Sequence, residues 1–404
     1  MKTLARRGSR RLVDGWIFRG GGRRAWLAAG FAAVLAAAFP PAPGRAAVIG
    51  SVTAGGYAFT NFDPTLSFNG AGSNANGISN AGQLVGTLVD ANNMSTFTNY
   101  TGFPASTTPL NTGVGQIAFG INSAGTVVGG NGAAAFVLPS GGTPQTLTSP
   151  PGAINAFGIN DRGDIVGQFN AGPGTTPGFF LPGSASASFT AINAPSGPNV
   201  VNAQGVNNNG QLVGFYLGTD GQVHGFQANA ANAVGNALTG IAIPDPLIPS
   251  VAGEPGATFV FSQVLGVNDA DIAVGYYGDS TTSQHGFIYN LNTGSYSFLD
   301  DPSEGFRNGV EVTQITGIAD SGEISGFYTD AVGLAHSFAA CPIGTVCPGS
   351  AAAVPEPASI ALLGVGLLGL CVVERRRPAS SSSRRHSAPT SPACSREVRR
   401  YSGA

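Results

Sequence analysis

Along the middle of the chain, apolar and polar positions alternate in short runs, broken every few residues by Gly, Asn, Asp or Pro. A two-residue period punctuated in this way predicts strands and tight turns rather than helices. Six segments repeat one pattern, Gly-(Ile/Val)-x-x-x-Gly-x-apolar-x-Gly, usually with Asn third. They are GISNAGQLVGTL from Gly77, GINSAGTVVGG from Gly120, GINDRGDIVGQF from Gly158, GVNNNGQLVGFY from Gly205, GVNDADIAVGYY from Gly266 and GIADSGEISGFY from Gly317. Their starts lie 43, 38, 47, 61 and 51 residues apart, a mean of 48.

Each segment reads as a hairpin, because Asn, Asp and Gly tolerate the positive φ that a short turn demands. The final glycine of each (Gly86, Gly129, Gly167, Gly214, Gly275, Gly326) falls inside the return strand, which predicts a bulge or the close approach of another backbone there. Further strands follow within each period. One is AAFVLP at Ala134, GFFLP at Gly178, HGFQA at His224, HGFIY at His285 and HSFAA at His336. Another ends near proline, as in YAFTNFDP from Tyr57, TPQTLTSP from Thr143, SFTAINAP from Ser188, TGIAIPDP from Thr239 and SYSFLDDP from Ser295.

About four short strands per unit predict an all-β repeat array over residues 47–340, with six units of about 48 residues. A six-bladed β-propeller-like ring satisfies that count and leaves only short, protected edges; a β-solenoid is the alternative. Residues 47–53 are available to complete a terminal blade. The repeat resembles the HAF-type extracellular repeat, in which a Gly-Ile-Asn hairpin precedes a His-Ala-Phe-like strand. Here Gly or Ser stands second, and two of the units lack the His.

Charge changes the picture at both ends. Of 19 Lys and Arg, nine lie in residues 1–46 and eight in residues 375–404. Between Ala47 and Ala353 only Arg162 and Arg307 face 17 Asp and Glu. Such a body repels phosphate backbones, which excludes nucleic acid as a partner. Residues 1–46 read as a signal peptide: a basic start, an apolar run AWLAAGFAAVLAAAF from Ala25, then small residues at Gly44 and Ala46, with signal peptidase expected to cut after Ala46.

At the other end, Val354, Pro355, Glu356 and Pro357 precede an apolar stretch over residues 358–373, followed by Glu374 and by Arg375, Arg376 and Arg377. The prolines keep the approach extended, the apolar stretch suits a transmembrane helix in the inner membrane, and the arginines hold its end in the cytoplasm. Residues 354–377 resemble the PEP-CTERM sorting signal of Gram-negative bacteria. The resemblance implies an exosortase-type processing enzyme, only transient residence in the membrane, and a final place in the envelope, at the surface or outside the cell, often beside exopolysaccharide. Residues 378–404 form a Ser/Arg/Pro-rich basic tail that reads as disordered.

Candidate chemistry is sparse. Cys341 and Cys347 bracket a short turn in a linker over residues 341–353, and in an oxidising compartment they are expected to form a disulfide. His224, His285 and His336 occupy equivalent repeat positions a blade apart, with no carboxylate at a fixed spacing. That predicts strand-pairing or turn-packing roles rather than metal ligation. Asp161, Asp164, Asp269, Asp271, Asp320 and Glu323 sit in hairpin turns, where calcium is a conceivable ligand but solvated turns are the simpler reading. Arg162-Gly163-Asp164 spells an adhesion tripeptide within ordinary turn chemistry. There is no nucleophile elbow, zinc-binding helix or phosphate-cradling loop. The chain is therefore expected to use no cofactor and to be a non-catalytic surface or biofilm-matrix protein, with exopolysaccharide or envelope proteins as candidate partners. A secreted propeller-type hydrolase or lyase acting on polysaccharide is the alternative.

Overall fold

The structure is a computed structural model and describes residues 47–64, 72–89, 98–102, 108–112, 115–183, 188–247, 256–305 and 309–347. Strands account for nearly all of its regular structure, apart from one 3₁₀ turn, Ala230–Asn232. Each repeat folds as an antiparallel meander. The fourth unit shows the plan with Val201–Val206, Gln211–Leu217, Val223–Asn229 and Ile241–Ala242, paired in that order. The first two of these strands are the predicted hairpin, and the third carries the HGF sequence.

The units close into a ring through their hairpin glycines. A Cβ built on Gly205 would lie 3.0 Å from the Cα of Gly266, and one on Gly266 would lie 3.1 Å from the Cα of Gly317. Gly317 in turn faces the Cα of Gly77 at 3.3 Å, Gly77 faces Gly120, Gly120 faces Gly158, and Gly158 faces the carbonyl of Gln204. Backbone meets backbone at every step, so these positions admit no Cβ. Because the sixth unit returns to the first, the array is a propeller-like ring and not a solenoid.

The count of six separate blades needs correction. Four sheets stand alone: those of the first, fourth and fifth units, and a five-stranded closing sheet. The second and third units share one nine-stranded sheet. Gly130 is the reason: it has no Cβ to strike the Ile154 carbonyl, so its strand Val127–Gly130 pairs with Asn155 of the next unit. An insertion in the fourth unit, Ala237–Thr239, then adds in parallel to Thr190–Asn193 at the outer edge of the same sheet.

The closing sheet combines Thr313–Ile318, Ile324–Thr329 and Ala335–Pro342 with two strands from the start of the domain. Tyr57–Asp63 pairs with Ala335–Pro342, and Ala47–Ala54 lies outside it as a fifth strand. The blade is thus completed by Tyr57–Asp63 rather than by residues 47–53 alone. Cys341 belongs to this last strand, opposite Ala58, and not to a linker. Its disulfide to Cys347 closes the turn that follows.

The core lies between neighbouring units. Val166, Phe180 and Ile192 of the third pack on Val201, Leu212 and Tyr216 of the fourth, and Val213 packs on Val264 and Tyr277 of the fifth. Within each unit the return-strand glycine sits directly opposite an aromatic residue: Gly86 and Tyr100, Gly129 and Phe136, Gly167 and Phe179, Gly214 and Phe226, Gly275 and Phe287, Gly326 and Phe338. The ring lies over the glycine while a bulge in the first strand pushes a carbonyl towards it. On Gly214 a Cβ would come within 2.0 Å of the Asn202 oxygen and 2.7 Å of Phe226.

Candidate functional site

Two sets of polar side chains recur around the ring, at opposite ends of the second strands. At one end are the hairpin turns. The third-position asparagines explain their own recurrence: Asn160 donates from Nδ2 to the carbonyl of Asn207 at 2.9 Å, and Asn207 does the same to Asn268 at 2.9 Å. Each Oδ1 meanwhile accepts from its own turn, as from Asp164 N and Gln211 N. The next residues complete a second circuit. Asp161 accepts from Ser123 N at 2.7 Å, Asp269 from Asn208 N at 2.7 Å, Asp320 from Asp269 N at 2.8 Å, and Asn80 from Asp320 N at 2.8 Å. Burial, and the nearby carboxylates of Asp269 and Asp161, hold the Asp320 carboxyl above its ordinary range.

The other turn acids are also engaged. Asp164 takes the Arg162 guanidinium at 2.9 Å, which folds the adhesion-like tripeptide onto itself. Asp271 adopts φ 59°, where the other five turns have glycine, and accepts from Asn207 Nδ2. Glu323 is fully buried.

At the opposite end are the three histidines, and although no carboxylate stands at a fixed spacing from them in sequence, the fold brings two to each. Each imidazole lies between two aspartates and beside a tyrosine. The cross-strand pairs are Tyr216 with His224, Tyr277 with His285 and Tyr328 with His336, with ring centroids 5.8, 5.2 and 5.3 Å apart. His224 donates from Nδ1 to Asp245 at 2.9 Å and from Nε2 to Asp220 at 3.0 Å. His285 donates from Nδ1 to Asp300 at 2.9 Å, with Asp279 at 3.7 Å from Nε2. His336 donates from Nδ1 to Asp63 at 3.1 Å and from Nε2 to Asp330 at 3.3 Å. The sequence interval hides these partners, since the first acid stands four or six residues before the His. The second comes from the end of the following strand or, for Asp63, from the start of the domain. The Asp-Pro endings of those strands were the available signal.

Burial alone would lower the pKa of each imidazole, but the hydrogen bonds and charges of the flanking carboxylates outweigh it. All three are raised, His285 to about 9. His285 is charged at neutral pH, and the flanking carboxylates favour the imidazolium form at His224 and His336, where both nitrogens have an acceptor within hydrogen-bond distance. Each carboxylate pair thereby grips a cation that the body otherwise almost lacks.

The fourth unit departs from the other two. Asp279 and Asp330 stand two residues after their tyrosines and open their turns, accepting from Ser283 N and Leu334 N. Gly218 occupies that place in the fourth unit, and Asp220 reaches back to the histidine from the turn tip. The clamp consequently opens to solvent at its first acid: the Asp220 side chain is 51% exposed, against 2% for Asp279 and 31% for Asp330, while the second acids and the imidazoles differ less. A cleft of about 330 Å³ forms there, lined by Tyr216, Thr219, Asp220, His224, Pro244 and Asp245 among others. Among the described residues no group of three or more His, Cys, Asp or Glu is arranged to hold a metal, and no helix is long and apolar enough to cross a membrane. Ala46, Val354 to Pro357, the 358–373 segment and Arg375 to Arg377 lie outside the described residues.

One known motif matches the chain. Residues 353–377 match the PEP-CTERM protein-sorting motif. The chain therefore carries a sorting signal of the exosortase type and is exported to the cell envelope or surface. No curated protein matches it. Solved structures that resemble it include a streptogramin B lyase, at 15% identity and TM-score 0.32, over 54% of this chain and 66% of that one. A gluconolactonase from Xanthomonas campestris shows 11% identity and TM-score 0.42, over 77% of this chain and 100% of that one. A virginiamycin B lyase from Staphylococcus aureus shows 13% identity and TM-score 0.33, over 70% and 88%. Likeness this remote transfers no activity to this chain.

Proposed function

We propose that the mature protein is a non-catalytic, propeller-like repeat protein of the HAF type. In this reading it acts at the cell surface or in the extracellular matrix by binding exopolysaccharide. The observation that supports this reading is the state of its acids and bases. The histidines of the ring are each clamped by carboxylates that favour their charged form, and the acids of the hairpin turns are occupied by amide donors. A general base needs a free lone pair and a pKa near the working pH. An imidazole whose nitrogens both face carboxylates has no free lone pair to offer, while a ring of rigid turns and clefts provides a surface for polymer contacts. A hydrolase or lyase acting on polysaccharide is the competing reading, and it draws on the open clamp at His224, whose Nε2 proton could be given to a leaving group.

The test uses the chain recovered from envelope and culture fractions. Affinity electrophoresis through the organism's own exopolysaccharide should retard it, and incubation with that polymer should release no new reducing or unsaturated ends. Turnover that disappears in His224→Gln would overturn the non-catalytic reading. Unretarded migration without turnover would overturn both readings. Terminal peptides from the same samples should begin near Ala47 and end near Val354.

A further inference from the structure

Resting on the polysaccharide-binding reading, we infer that the open clamp of the fourth unit is a subsite for one or two sugar residues that are neutral and carry adjacent free hydroxyls. The three clamps provide an internal comparison. In the fifth and sixth units the acid beside the second strand caps its own turn and is less exposed than Asp220. In the fourth unit a glycine replaces that acid. A Cβ on Gly218 would lie 2.6 Å from Asp220 Oδ1 and 2.8 Å from His224 Cδ2, so only glycine leaves room for Asp220 to fold back. The outcome is a carboxylate held at an exposed tip by its imidazole and by Gln222 N, where it lines a cleft.

The chemistry of the lining selects the ligand. Asp220 and Asp245 present acceptors, so the ligand must bring donors. Two hydroxyls on neighbouring carbons match the two oxygens of one carboxylate. Ile243, Pro244 and Ala242 supply an apolar wall for the C–H face of a pyranose. Two carboxylates against one imidazolium leave a net negative charge, which disfavours uronic acids. A divalent cation is disfavoured for a different reason: the imidazolium already occupies the space between the carboxylates, and it would have to be displaced. The cleft volume of about 330 Å³ is at the small end of ligand sites, which suits a monosaccharide or disaccharide unit of a longer chain.

The experiment titrates the exported chain at pH 7 with neutral gluco- and manno-oligosaccharides, and with oligogalacturonate, by calorimetry and saturation-transfer NMR. A neutral oligosaccharide should bind, and oligogalacturonate should not. Asp220→Asn should weaken binding at least tenfold. Thr219→Trp should abolish it by filling the cleft while leaving the clamp intact, which separates ligand loss from misfolding. Asp300→Asn, in the covered clamp of the fifth unit, should leave affinity unchanged. Binding that survives both Asp220→Asn and Thr219→Trp would overturn this subsite and leave the polysaccharide reading standing. Retention by native exopolysaccharide without binding of any neutral oligosaccharide, or preferential binding of oligogalacturonate, would overturn the ligand class. Loss of both kinds of binding would overturn the subsite together with the reading it rests on.

Discussion

Asp63 and His336 lie 273 residues apart and meet at 3.1 Å, joining the first described strands to the last. The same seam carries a hydrogen bond from Ser73 Oγ to the Phe62 carbonyl, one from Ser337 N to Ser73 Oγ, and the Tyr100–Ser337 hydroxyl pair. These bonds tie the start of the domain to its end and so close the ring. Asp63→Asn leaves a buried imidazole with one carboxylate in place of two. It should destabilise the protein by about 2 kcal/mol, seen as a fall of several degrees in the melting temperature. Asp220→Asn, at the exposed turn tip of the fourth unit, should cost much less. Equal effects from the two substitutions would mean that the seam has no special role.

The fifth unit makes stability fall as pH rises. His285 has a folded pKa of about 9 against 6.5 when unfolded, so its contribution is complete below pH 6.5 and disappears as pH passes 9. Glu304 works in the same direction. Burial first, and Asp300 beside it, raise the carboxyl to about 8, so above its unfolded value of 4.5 the folded state pays increasingly to ionise it. Denaturant titrations should therefore find the protein most stable on the mildly acidic side of neutrality, losing a few kcal/mol towards pH 9. Glu304→Gln should flatten the part of that slope below pH 8. A stability that rises steadily from pH 6 to pH 9 would contradict the clamp.

The period and the hairpin turns were legible in the sequence because they depend on local chemistry: glycine for close approach, Asn for an amide that bonds both its own turn and the next. Closure into a ring could only be guessed, since it depends on Gly317 meeting Gly77 and on which strand docks beside Ala335–Pro342. The fusion of two units was hidden because Gly130 looks like any other strand glycine. The clamps were missed for a related reason. Residues brought to one imidazole by three different chain segments keep no constant spacing, and the fourth unit moves its acid from the place of Gly218 to Asp220.

Gly214 tests the packing logic of the units. It lies beneath Phe226 and against the Asn202 carbonyl, where a Cβ would fall at 2.7 and 2.0 Å. Neither neighbour is a flexible chain end, so Gly214→Ala must shift a strand or expel the ring. A loss of roughly 2–4 kcal/mol is expected, in the range of overpacked cores and displaced large side chains. Phe226→Leu should partly relieve the double variant, which a thermodynamic cycle would detect. A melting temperature unchanged by Gly214→Ala would mean that the aromatic does not rest on the glycine as described.

Calcium is the remaining question for the axial turns. A calcium ion needs six to eight oxygens, several of them free carboxylate atoms. In this ring Asp161 is engaged by Ser123 and Asn80, Asp269 by both the backbone and the side-chain amide of Asn208, and Asp320 by Asp269 N and Asn80 Nδ2. An ion could enter only by breaking N–H···O hydrogen bonds that tie each unit to the next. Millimolar calcium and an excess of chelator should accordingly give melting temperatures within about 1 °C of one another. Asn208→Asp should change this behaviour. It removes a donor to Asp269 and places a fourth carboxylate in the circuit, so the variant should melt lower in chelator and recover part of the loss in calcium. A clear rise in melting temperature of the native chain on adding calcium would show that the amides yield to the ion, and the axial ring would then be a metal site.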